Sequence, residues 1–282
     1  MSGFENFIAI MQSEMKKPTL FGWAHIFWLV IAVVGIVVIC LTCRKLSDKK
    51  FRIIVLIIGL ILIVLEVFKQ LNFAFDPETG VWEYSWKQFP FQFCSVPMYV
   101  MLVVACLKEC KFRDWLCAFL ATFGLFAGLV VLFYPATVLS EIIFRFTQSM
   151  VHHVSLVLVG VLVFVSGKVK IEHKTILKAM AVFAVFVVTA FIMNIVFHAT
   201  GNTSSFNMFY IGPHSDSDLP VFKQIGQMLN ISSDSVHIGN FAFMLIYVLG
   251  FSIAAYIVLL VAMLIRKIAV STGNKRKVKQ QN

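Results

Sequence analysis

The chain has 282 residues, 60% of them hydrophobic and only 13% charged, and its mean hydropathy is +0.88. Soluble domains carry about 25% charged residues, so the composition excludes an ordinary soluble enzyme and points to an all-α, polytopic membrane protein. The formal charge of +10 would suit nucleic acid if it covered one surface, but its distribution along the chain gives it another meaning.

In chain order, residues 1–21 read as an extracellular lead-in. Phe4–Met11 is apolar but too short to cross a bilayer, so it is expected to lie on the surface as an amphipathic helix. Glu5 and Glu14, with no basic start ahead of an apolar core, speak against a cleavable signal peptide. Residues 22–265 hold seven apolar runs of spanning length: Gly22–Leu41, Arg52–Leu71, Phe89–Leu107, Trp115–Phe133, Thr147–Val165, Ile176–Phe197 and Asn240–Ile265. Residues 266–282 form a basic tail.

The third run contains Pro90 and Pro97. Pro90 suits a first helical turn, whereas Pro97 lies where it is expected to kink the helix interior. Loosened backbone in a membrane must face protein or a wet cavity. The stretch Gln88–Val100 is therefore the first place to look for a site.

The loops after the first, third and fifth runs, together with the C-terminal tail, hold 18 of the 24 Lys and Arg residues. Of the 14 acidic residues, 10 lie at the opposite ends. Basic residues mark the cytoplasmic side, which predicts an outside N-terminus and an inside C-terminus. The positive charge is then a topology signal that also attracts anionic headgroups, and no nucleic-acid partner is needed to explain it.

This orientation puts the polar side chains at one depth. His25, Glu66 and Gln70, Gln92 and Cys94, Gln148 with His152 and His153, Asn194 and His198, and His237 with Asn240 all fall in the outer third of their runs. Glu66 is the most telling, since an ionisable group inside a span is costly and marks function by default. His25, Glu66, Cys94, His153 and Asn194 are expected to line one outward-opening pocket. The long outer segment His198–Val236 is expected either to cap a site or to be mobile.

A lone Cys in a helix is usually a small buried hydrophobe, but a Cys–His pair within hydrogen-bond reach is a nucleophile with its base. His152 and His153 point about 100° apart on a helix, so one of them at most faces a given partner. The six cysteines are scattered without a disulfide-framework spacing, and no helix carries a metal-binding His spacing.

The ordered set Leu65-Glu-Val-Phe-Lys-Gln70, Phe89-Pro-Phe-Gln-Phe-Cys-Ser95, Gln148-Ser-Met-Val-His-His153 and Asn207-Met-Phe-Tyr210 resembles the YwaF-like family of bacterial integral membrane proteins. That family is distantly similar to mammalian multipass enzymes that move or hydrolyse acyl chains, the ether-phospholipid acyltransferases and the androgen-induced hydrolases. The resemblance implies a bacterial plasma-membrane location, Cys94 as acyl-accepting nucleophile and His153 as its base. One departure is that the family's His two residues before the Cys is Gln92 here; Gln donates hydrogen bonds but is no base near neutral pH.

The leading expectation is a lipid acyltransferase or acyl hydrolase near the outer leaflet, acting on membrane phospholipids or acyl lipids without cofactor or metal. Glu66, His25 or Asn194 would orient the base, and Gln92 or Gln148 would hold the oxyanion. The alternative is a non-catalytic outward-facing protein that binds or transports a small solute through the same cavity.

The orientation is testable. Single cysteines placed in Arg44–Lys50 and Gly167–Lys174, in a background without native thiols, should resist an impermeant thiol reagent in intact cells. Labelling of both from outside would reverse the topology.

Overall fold

In the computed structural model, residues 2–135, 138–201, 206–232 and 235–281 are described, with side chains as far as residue 272. The expected loop His198–Val236 and the basic tail therefore fall partly outside the described residues. Among the described residues the elements are helical, with isolated bridges but no sheet.

Six helices are long and apolar enough to cross a membrane: α2 (Trp23–Thr42), α3 (Asp48–Ala74), the continuous Lys111–Phe133, α7 (Ile143–Val165), α8 (Lys174–Ala199) and α10 (Ile238–Gln281). Lys111–Phe133 comprises α5 (Lys111–Phe119), a π turn at Leu120–Gly124 and α6 (Leu125–Phe133). The last helix runs on through the segment expected to be a separate tail. The lead-in forms α1 (Gly3–Met11), capped reciprocally by Ser2 and Glu5. Its Phe7 packs edge-on against Phe68 of α3, and Gln12 donates to the Asn72 and Phe75 carbonyls.

The third apolar run departs from expectation. Helix α4 begins only at Val96 and ends at Cys106, so Pro97 sits in its first turn and starts it instead of kinking it. Residues 89–95 are a turn in which the Ser95 and Val96 N–H groups both donate to the Gln92 carbonyl. With two prolines lacking N–H groups, seven residues apart, the chain cannot sustain one helix through both. An 11-residue helix reaches about 16 Å, short of a hydrocarbon core of about 30 Å. The segment nevertheless runs antiparallel along α3. Gln70 Nε2 donates to the Gln88 carbonyl at 2.7 Å at one end, and Arg52 Nε donates to the Ala105 carbonyl at 2.7 Å at the other.

The core is aromatic. Phe93 touches Phe183, Phe209 and Phe251, and Phe123 stacks on Phe183 at 4.5 Å. At the end carrying the basic loops, Arg113 and Lys168 both bond Asp48, tying α3, α5 and the end of α7 together. Lys178 pairs with Asp114 across α8 and α5. At the other end, the turn after α3 is closed by Asp76. Its carboxylate accepts from the Thr79 hydroxyl and the Glu78 N–H, which hold it below the usual carboxylate range.

Helices α6 and α7 approach closely at Gly128, where a Cβ would lie 2.6 Å from the His153 carbonyl oxygen and 3.0 Å from the Val157 nitrogen. Backbone cannot yield as a side chain can. Gly128→Ala should therefore lower stability by about 1–3 kcal/mol, read as a reduced melting temperature in detergent. Gly3→Ala, which meets nothing within 4 Å, should leave it unchanged.

Candidate functional site

The ends of the helices opposite the basic loops are closed by a loop that enters the bundle. Met208, Phe209 and Ile211 are buried among the helices. Phe209 and Tyr210 adopt φ values of 58° and 57°, a left-handed backbone that non-glycine residues seldom take. Three side chains hold this plug. Asn194 accepts from the Met208 N–H at 2.7 Å and donates to its carbonyl at 3.0 Å. Gln92 accepts from the Phe209 N–H and donates to the Asn207 carbonyl. Asn207 itself closes the loop by accepting from the Gly212 N–H and donating to the Asp216 carbonyl.

A second group surrounds Glu66, which is buried on α3. Its carboxylate accepts from Gln70 at 2.6 Å and from Gln148 of α7 at 3.3 Å, and it pairs with Lys69 at 2.8 Å. Gln70 in turn accepts from the Tyr84 hydroxyl. The charge is thus compensated and hydrogen-bonded, as a buried carboxylate must be.

Cys94 lies in the turn before α4. His152 Nε2 donates to its main-chain carbonyl at 2.8 Å, which fixes the tautomer and leaves Nδ1 with the lone pair. That Nδ1 is buried and has no hydrogen-bond partner. His153 turns elsewhere: its Nδ1 donates to the Ser149 carbonyl at 2.6 Å on its own helix, and its buried Nε2 is unpartnered. The histidine bonded to the Cys94 main chain is therefore His152, whereas the resemblance implied His153 as the base for the Cys94 thiol. Gln148 precedes His152 by four residues on the same face of α7, so the Glu66 group and the Cys94 turn adjoin.

His25 belongs to neither group. Its Nδ1 accepts from the Phe21 N–H and its Nε2 donates to the Leu132 carbonyl at 2.8 Å. Both ring nitrogens are satisfied, and the ring fastens α2 to the end of α6. The expected single pocket thus divides into a plug clamp (Gln92, Asn194, Asn207), a carboxylate network (Glu66, Gln70, Gln148), the Cys94–His152 contact and a separate structural histidine. Tyr84 joins the network. Two tyrosines escaped sequence reading: Tyr99 donates to the Pro90 carbonyl, and Tyr247 is fully buried with an unpartnered hydroxyl. Nothing in their local pattern separates them from the many core aromatics.

Among the described residues, no three His, Cys, Asp or Glu side chains are grouped to hold a metal ion. A cavity of about 500 Å³ lies apart from Cys94, under the outer turn between Phe73 and Ser85.

The model of the TMEM164 family matches residues 20–264. That match, with six helices of spanning length, establishes a multipass membrane protein, which is also the kind of molecule the YwaF-like motifs suggested. No curated protein and no solved structure matches.

The clamp makes a specific expectation. Asn194→Ala leaves the buried Met208 N–H without a partner, at about 1–3 kcal/mol, and leaves its carbonyl only the long bond from the Ile211 N–H. Hydrogen exchange at the Met208 and Phe209 amides should quicken by tenfold or more. Unchanged exchange would mean that the plug is held by its apolar side chains alone.

Proposed function

The chain belongs to the TMEM164 family, and from that premise we propose that it is a membrane-embedded lipid acyltransferase or acyl hydrolase working near the outer leaflet of the cell membrane. Its substrates would be phospholipids or other acyl lipids. The observation that carries this reading is the His152–Cys94 contact. It holds a thiol-bearing turn against an imidazole whose free, lone-pair nitrogen is buried without a partner.

In this reading the chain crosses the membrane seven times, with the segment from Gln88 to Cys106 as the third crossing, the N-terminus outside and the C-terminus inside. His152 Nδ1 takes the Cys94 thiol proton as sulfur attacks the ester carbonyl carbon. The carbonyl π electrons move to oxygen, giving a tetrahedral oxyanion. Collapse breaks the ester C–O bond, and the leaving alkoxide takes the proton from His152, leaving a Cys94 thioester. A lipid hydroxyl or water then reverses the sequence. The phenylalanine cluster around Phe93, Phe183, Phe209 and Phe251 offers an apolar bed for the acyl chain.

The base assignment moves from His153 to His152 because the His152 ring bonds the Cys94 backbone, whereas the His153 ring bonds the Ser149 carbonyl on its own helix. Gln92 and Gln148 each commit one amide N–H, to the Asn207 carbonyl and the Glu66 carboxylate, and each has a second N–H for the oxyanion role.

The test is trapping of a hydroxylamine-labile adduct with an alkyne-tagged acyl phospholipid. Cys94→Ala should abolish the adduct, and His152→Ala should slow it by about 10²–10⁴-fold, the usual worth of a positioned base. His153→Ala should cost far less. The reverse ranking of the two histidines would return the base role to His153. A wild-type protein that forms no adduct, with Cys94→Ala keeping full cellular function, would favour a non-catalytic solute-binding or transport role.

A further inference from the structure

Tyr247 lies nine residues into α10, counted from Ile238, and His152 lies nine residues into α7, counted from Ile143. At 1.5 Å per residue both sit about 13 Å below the outer ends of their helices. Tyr247 is completely buried and its ring stacks on Phe251 at 4.4 Å. Phe251 in turn meets Phe93, the residue before Cys94, at 4.8 Å. The Tyr247 hydroxyl also lies within electrostatic reach of the Cys94 thiol and of Tyr210 on the plug.

Its hydroxyl has no hydrogen-bond partner. A buried phenol normally finds one, and leaving it bare in a hydrocarbon interior is costly. Phenylalanine would fill this aromatic stack at no such cost. The two unpartnered groups are also complementary. His152 Nδ1 has a lone pair and no proton to give, whereas the Tyr247 hydroxyl has a proton to give.

We propose that Tyr247 is a catalytic residue whose hydroxyl donates a hydrogen bond to the carbonyl oxygen of the acyl ester attacked by Cys94. The inference rests on the acyl-transfer reading above and deepens it. As the Cys94 S–C bond forms, the ester oxygen gains the π electron pair, and the Tyr247 O–H bond points at charge that grows only in the transition state. Proton bookkeeping is unchanged: the thiol proton passes to His152 and on to the leaving alkoxide, and Tyr247 keeps its own. The Gln92 and Gln148 amides each have one N–H committed, whereas the Tyr247 hydroxyl is committed to no other group.

The experiment compares two reactions of Cys94 in the full-length protein in detergent. Acylation by a p-nitrophenyl ester builds an oxyanion; alkylation by iodoacetamide, a displacement at a saturated carbon, does not. Tyr247→Phe keeps the ring stack, so its acylation rate should fall by about 10²–10³-fold while alkylation stays within about twofold of wild type. In a second variant, Tyr247→3-fluorotyrosine, the more acidic hydroxyl should raise the ratio of acylation to alkylation. An unchanged ratio in both variants overturns the inference and leaves the acyl-transfer reading standing. Equal loss of both reactions in Tyr247→Phe also overturns it, since Tyr247 would then only shape the site. Wild-type protein that is alkylated but never acylated at Cys94 removes the acyl-transfer reading and the inference together.

Discussion

Backbone that leaves the helix inside a bilayer loses its internal hydrogen bonds, and no water replaces them. Two stretches of this chain leave the helix while packed among the helices of the bundle, the turn at 89–95 and the plug at 206–212. The structure depends on how their N–H and carbonyl groups are satisfied. Gln70 takes the Gln88 carbonyl, Tyr99 the Pro90 carbonyl and His152 the Cys94 carbonyl. Gln92 and Asn194 take the Asn207, Met208 and Phe209 main-chain groups. Five polar side chains at similar depth thus act as substitutes for lost helical turns. The two irregular stretches are joined through Gln92, which stands in one and clamps the other.

This constraint explains both what was legible in the sequence and what was not. Hydropathy located the long helices, because length and apolar character are local properties. It also showed that His, Gln, Asn and Glu gather towards one end. It could not show their partners, because a glutamine that clamps a main-chain carbonyl and one that holds a substrate have the same sequence signature. Gln92 and Asn194 were read as pocket residues and prove to be clamps. His25 shared their depth but fastens α2 to Leu132. Depth along a helix is readable from a sequence; azimuth around the bundle is not.

The same limit governed the two adjacent histidines. Their side chains diverge by about 100°, so the sequence required them to have different partners. It did not say which one faced the third apolar run. Pro97 was similarly ambiguous. A proline in the interior of an apolar run can kink a helix or begin one, and the nonhelical turn ahead of it made it a beginning.

Once the clamps are subtracted, few polar atoms in the interior remain unexplained. Asn72 Nδ2, Arg113 Nη1 and Ser217 Oγ lack partners, but their residues lie at the helix ends or in a connecting loop, where solvent and headgroups are near. His152 Nδ1, His153 Nε2 and the Tyr247 hydroxyl lie deeper. Interiors normally pair such groups, so unpaired ones at this depth need a reason that folding alone does not supply. His152 already has a structural duty through Nε2, which would be complete with any donor. Its second nitrogen adds nothing to that duty and carries a desolvation cost, and it is held on the residue bonded to Cys94. A side chain that satisfies the Cys94 backbone with one atom and keeps another buried and bare is better matched to chemistry than to packing.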